Sequence, residues 1–173
     1  MADTRTNGKR LPSRASRGKR QVQRVPYFLK NQNALHLFDD VGSSRLRPPQ
    51  LALARACLAH FTRSDLPAIG ALPTGVGKTG TIATLPYLLP AKRVLVAVPN
   101  RLLREQVASE LREMALFRRL GLLTGAVPNP TVAVIDHQIR DEKAWADYES
   151  ADIVVATPYC ISPAIKGVVA PPP

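Results

Sequence analysis

Apolar residues recur along this chain with two different spacings, and the spacing switches several times between residues 45 and 160. Leu51, Ala54, Leu58 and Phe61 fall on one helical stripe behind Pro48 and Pro49, which suit a first helical turn. The stripe predicts a helix from about Pro49 to Phe61. Ala68-Ile69-Gly70-Ala71-Leu72 is a short apolar run that predicts a strand, and Thr79 to Leu85 is compatible with a helix. Pro86 should break or kink that helix after about two turns. Arg93-Val94-Leu95-Val96-Ala97-Val98-Pro99 is β-branched and nearly all apolar, the pattern of a strand buried on both faces. From Arg101 to Leu120 the stripe Leu103, Val107, Leu111, Met114 predicts a long helix, ended by Gly121 and the segment to Pro130. Thr131 to Ile135 and Ala151 to Thr157 read as two more strands, with a polar stretch, Asp141 to Ser150, that can form a helical turn between them. The alternation of strand and helix points to an α/β domain around a parallel sheet. There is no internal repeat.

The loop between the first strand and its helix carries the clearest chemistry. Residues 72–79 read Leu-Pro-Thr-Gly-Val-Gly-Lys-Thr. Strand, Gly-rich loop, Lys-Thr and helix form the P-loop arrangement, which cradles nucleotide phosphates. Gly75 and Gly77 permit backbone conformations that a side chain would block, so the amides can turn toward an anion. The helix that begins here adds the positive end of its dipole. Thr74, Gly75, Val76, Gly77, Lys78, Thr79 and Gly80 are therefore the expected phosphate site. Lys78 would neutralise β/γ-phosphate charge, as the group expected to serve catalysis, and the Thr79 hydroxyl would bind Mg²⁺. ATP and Mg²⁺ are the expected cofactors. The competing reading is a plain Gly-rich turn before a helix, and Gly-Lys-Thr at this offset after an apolar run argues against it. The position that is usually the first Gly is Leu72 here.

Composition bounds the setting. The chain has 173 residues, enough for about one domain, and 45% of them are hydrophobic. No uncharged apolar run approaches the ~20 residues of a membrane span, and no secretory signal pattern is present. Cys57 and Cys160 lie far apart and read as ordinary small apolar residues in a reduced cytosol. His36, His60 and His137 have no metal-ligand spacing and read as surface or capping residues. Net charge is +11 but unevenly placed. Residues 1–30 hold nine Lys/Arg against Asp3 alone, a surplus of +8, and the remaining residues carry +3. Residues 1–25 are basic, rich in Ser, Gly and Arg, and too poor in apolar side chains to fold alone. They are expected to be a disordered tail, either a phosphate-binding arm or a merely solvated one. Residues 26–44 are expected to be a linker or accessory segment, and 45–173 the folded domain.

Three further segments stand in a telling order around the loop. Leu46-Arg47-Pro48-Pro49-Gln50 precedes it; Val94-Leu95-Val96-Ala97-Val98-Pro99-Asn100-Arg101-Leu102-Leu103 and Gln106 follow; Asp152-Ile153-Val154-Val155-Ala156-Thr157-Pro158 comes last. With Pro-Thr-Gly-x-Gly-Lys-Thr as the loop, the chain over about 45–173 resembles domain 1 of the superfamily 2 helicases and translocases, DEAD/DEAH-related or of the restriction-enzyme R-subunit type. The resemblance implies a RecA-like three-layer fold. It implies that Gln50 holds the adenine, in keeping with a carboxamide's ability to pair with adenine N6 and N7; the alternative is chemistry confined to the helix N-terminus. Pro99, Asn100 and Arg101 look like motif Ia, which in that family grips a nucleic-acid backbone, and a strand end meeting a helix N-terminus suits phosphate. An ordinary strand-to-helix turn is the alternative there. The family's usual Thr after the Pro is Asn100 here. Thr157 and Pro158 look like motif Ib.

The resemblance also implies what to expect beyond these segments. The family's motif II, which supplies an Asp for Mg²⁺ and a Glu for the attacking water, is not found, nor are its Ser-Ala-Thr element, second RecA-like domain and arginine finger. The expectation is an N-terminal portion of an ATP-dependent nucleic-acid helicase or translocase, acting on duplex DNA rather than RNA, in a bacterial cytoplasm. It would need a C-terminal helicase region or a partner subunit, and its unmanaged sheet edge should leave it marginally stable and prone to aggregate. Val132-Ala133-Val134-Ile135-Asp136 has the form of a Walker B strand, but His137 follows it and it lies before Thr157. Two other readings stay open: a non-helicase P-loop protein using Asp136, and a non-catalytic nucleic-acid-binding remnant.

Overall fold

The computed structural model describes residues 25–89 and 91–172. The tail expected over residues 1–25 lies outside them except for Val25. The elements are α1 (Tyr27–Asn31), α2 (Pro48–Phe61), α3 (Lys78–Leu88), β1 (Val94–Ala97), α4 (Arg101–Glu113), α5 (Ala115–Arg119), β2 (Val132–Val134), β3 (Ile153–Ala156) and α6 (Pro158–Ile161), with a 3₁₀ turn over Glu142–Tyr148 between β2 and β3.

The three strands form one parallel sheet in the order β1-β3-β2. Ala97 lies opposite Ala156, and Val134 opposite Val155. Because side chains alternate along a strand, β3 feeds two cores at once. Ile153 and Val155 point into the larger one, with Tyr87 of α3, Val107, Ala108 and Leu111 of α4, and Phe117 of α5. Val154 and Ala156 point into the other, with Ile139, Trp145, Cys160 and Ile161. The sheet thus lies between two covering layers, the α/β arrangement expected of a RecA-like domain.

Residues 27–34 pack against α3, and Leu35 bridges to Leu123. Tyr27 and Phe28 are buried. The Tyr27 and Tyr87 hydroxyls are 2.9 Å apart, and Tyr27 also donates to the Pro128 carbonyl at 2.8 Å. The Phe28 and Tyr87 rings meet edge to face at 5.0 Å, the favourable quadrupole geometry.

Four local expectations are corrected. Residues 68–72 form no strand, and Ile69 is fully exposed. An extended segment becomes a strand when a neighbour completes its ladder, and none of the described strands lies beside this one. Pro86 does not end α3, which runs to Leu88. The missing N–H falls within the last turn, where one lost bond is tolerated more readily than in mid-helix. The long helix to Leu120 divides at Met114, which takes the left-handed conformation (φ 49°) between α4 and α5. That turn buries both Met114 and Phe117, and Asn129 Nδ2 donates to the Arg112 carbonyl at 2.7 Å to satisfy the end of α4. Finally, β1 is covered on one face only. Val96 is buried but Leu95 and Ala97 are exposed, because the short elements over the second core do not reach across β1.

Candidate functional site: a phosphate-type loop and the sheet edge beside it

The loop is held from behind by α2. Gly77 caps α3 at φ 89°, and Gly75 sits at φ 80°, a region that costs other residues about 1–2 kcal/mol. A Cβ on Gly77 would also lie 3.0 Å from Gln50 Nε2. Gln50, at 7% exposure, donates from Nε2 to the Gly77 carbonyl at 2.8 Å. Its Oε1 accepts from the Arg47 amide at 3.0 Å. Arg47 Nη1 donates to the Gly75 carbonyl at 2.7 Å. Lys78 Nζ donates to the Pro73 carbonyl at 3.2 Å.

Three alternate carbonyls of the loop, those of residues 73, 75 and 77, are therefore taken by side-chain donors. The amides of Lys78, Thr79 and Gly80 begin α3 and have no intrahelical acceptor. A loop whose carbonyls are engaged and whose helix-start amides are unpaired is suited to an anion. Lys78 is exposed and Thr79 half-buried. The Thr81 hydroxyl, two residues on, is buried with no partner among the described residues. It borders a cavity of about 290 Å³ between α2, residues 68–72 and α3.

These residues bear unevenly on ATP and Mg²⁺. The amides and ammonium suit the phosphates. For the cation, the loop offers the Thr79 hydroxyl at the start of α3, and among the described residues no group of three His, Cys, Asp or Glu could hold a metal. Gln50 reaches the site, but both ends of its carboxamide are engaged with backbone.

The strand ends converge at the C-terminal edge of the sheet. The Val98 amide donates to the Ala156 carbonyl at 2.9 Å, which ties Pro99, Asn100 and Arg101 beside Thr157 and Pro158. Asn100 caps α4: its Oδ1 accepts from the Leu103 amide at 2.9 Å. Pro99, Arg101 and Pro158 are exposed. Thr157 is buried, with its hydroxyl 3.4 Å from Cys160 Sγ, so it faces inward.

Asp136 follows β2, two strand positions from β1, or about 10 Å across the sheet. It is exposed and bound to His137 Nδ1 at 2.8 Å. That hydrogen bond holds its carboxyl below the usual carboxylate range. Among the described residues its hydrogen bond is to His137, and none joins it to the loop.

Two residues here escaped the sequence reading. Arg47 was visible as part of the Leu-Arg-Pro-Pro-Gln element but carried no assigned role. Arg104 is 3% exposed; its Nη1 donates to the Ile135 carbonyl at 2.9 Å and its Nη2 pairs with Glu105 at 2.8 Å. It stands on the buried face of α4 three residues before Val107, where a charged residue gives no hydrophobic signal.

A parallel sheet between two layers, with this loop opening a helix at its side, makes an α/β domain with a phosphate-type loop. Residues 43–166 match the family described as "Type III restriction enzyme, res subunit". The chain belongs to that family. Comparison with curated proteins gives no match.

Proposed function

We propose that this chain is the ATP-binding portion of a DNA-directed helicase or translocase of the restriction type. The observation that carries the reading is the loop itself: donors from Arg47, Gln50 and Lys78 occupy its carbonyls at 2.7, 2.8 and 3.2 Å, and the start of α3 offers its amides. In this reading Lys78 Nζ, now on the Pro73 carbonyl, would turn to the phosphates of a bound nucleotide. The Thr79 hydroxyl would hold Mg²⁺, which would supply neutralisation of phosphate charge. Thr74, Gly75, Val76, Gly77 and Gly80 line the phosphates, and Gln50 turns its carboxamide between the loop and the adenine. Pro99, Asn100, Arg101 and Pro158 form the track for one nucleic-acid strand, and the buried Thr157 holds the turn beneath them rather than touching the strand.

The family supports nucleic acid and partner subunits as the setting. No helix among the described residues is long and apolar enough to cross a membrane, and a cytoplasmic site of action fits a DNA substrate. Nothing favours a P-loop enzyme built on Asp136, because that carboxylate is exposed and engaged by His137. The proposal for this chain is nucleotide binding; turnover needs a Mg²⁺ carboxylate and a water-positioning base besides these residues. Titration of MgATP into the wild type and Lys78→Ala tests it. Binding that weakens at least tenfold in the variant supports the reading, and unchanged binding refutes it.

A further inference from the structure

The sheet edge carries an aromatic side chain that the proposed strand track does not use. Tyr159 is 65% exposed, whereas Tyr27, Phe28, Tyr87, Phe117 and Trp145 are all buried. The partly exposed Phe38 and Phe61 rest against Arg55 and His60. Tyr159 makes no ring contact among the described residues. It is the second residue of α6, directly after the Thr157 cap. Leu102, 81% exposed, is the second residue of α4. The strands that lead into these helices are parallel neighbours, with Ala97 opposite Ala156. Two large apolar groups therefore protrude at equivalent places from adjacent strand ends, with exposed Arg101 next to Leu102. On the far side of β3, β2 delivers His137, whose Nδ1 holds the Asp136 carboxylate at 2.8 Å.

We propose that Tyr159 is a stacking platform for an unpaired base, with Leu102 as an apolar shelf beside it, so that this edge selects a single strand over a duplex. A lone exposed apolar residue needs no explanation, but paired ones at the mouth of a site do. Aromatic faces stack on any base, whereas a base inside a duplex offers no free face. Arg101, exposed beside Leu102, supplies the cation that keeps a backbone phosphate near the ring. This inference rests on the nucleic-acid reading above and adds to it the state of the substrate.

The test uses the full chain with fluorescein-labelled oligothymidylate, a duplex of equal length, and an oligonucleotide bearing 2-aminopurine. The wild type should quench 2-aminopurine on binding. Tyr159→Ala should bind the single strand about tenfold more weakly, leave duplex affinity and the salt slope unchanged, and lose the quench. Tyr159→Phe should restore all three. An alanine variant that binds and quenches like wild type, or that weakens single strand and duplex equally, overturns the stacking role while the strand track stands. If Arg101→Ala also has no effect, or no oligonucleotide binds, both the track and the platform fall.

Discussion

The Gln50 carboxamide bridges two elements: it donates to the Gly77 carbonyl at 2.8 Å and accepts from the Arg47 amide at 3.0 Å. Since Gly77 is the residue that starts α3, the position of the phosphate-type loop depends on the first turn of α2. Gln50→Ala removes the shorter of two donors to the Gly77 carbonyl, leaving the Thr81 amide at 3.4 Å, and takes away the acceptor of the Arg47 amide. We expect a stability loss of about 1–3 kcal/mol, measured by chemical denaturation, together with weaker nucleotide binding. Gln50→Glu should fare worse for the nucleotide, since it sets an anion against a carbonyl and beside the phosphates.

Gly77→Ala probes the loop backbone. The left-handed φ of 89° and the 3.0 Å approach of Gln50 Nε2 both oppose a methyl group. The variant should lose about 1–2 kcal/mol of stability and lose MgATP binding in calorimetric titration. Gly42, which is also left-handed but has open space around it, is the control: alanine there should cost stability alone.

Arg104 is a buried cation whose partner Glu105 is exposed. Arg104→Ala leaves the Ile135 carbonyl without its donor and opens space beneath α4. Thermal unfolding should register a loss of about 2–4 kcal/mol. Arg104→Met, which keeps the volume, should recover part of it.

Asp136 titrates low because His137 donates to it. A depressed carboxyl favours the fold above its unfolded-state value and loses that contribution as pH falls through its folded value, so any effect belongs to the acid side. His137→Ala should move the Asp136 carboxyl up toward the ordinary range. Carbon-detected NMR titration of the side chain reads this directly, and an unmoved midpoint would contradict the pairing.

The basic N-terminal segment can be weighed by salt. Each phosphate neutralised adds to the slope of log affinity against log salt, roughly 0.7 per contact for a single strand. Deleting residues 1–25 should reduce that slope yet leave measurable binding through the strand track. Complete loss of binding would transfer the whole interaction to the tail.

Much of this was legible in the sequence. Continuous apolar, β-branched runs located β1, β2 and β3, because strand burial leaves its mark residue by residue. The helical stripe of α2 and the glycines of the loop were equally visible, since each obeys a local rule. What escaped depended on neighbours. Residues 68–72 have the composition of a strand, but pairing is a property of two segments. Leu95 looked like a residue buried on both faces, yet its exposure is set by how far α6 and the 3₁₀ turn extend. Met114 continues the helical stripe in sequence, and its left-handed turn is chosen by the pocket that takes it and Phe117. At the site, the glycines and Lys78 announced themselves, whereas Arg47 and Tyr159 matter through what they face, which spacing does not encode.

The most direct test is amide-resolved NMR of the ¹⁵N-labelled chain titrated with MgATP. The account predicts shifts concentrated on Thr74, Gly75, Val76, Gly77, Lys78, Thr79 and Gly80, with Gln50's side-chain amide following, and their loss in Lys78→Ala. Saturating MgATP that leaves these amides unmoved, or moves those around Asp136 instead, would contradict it.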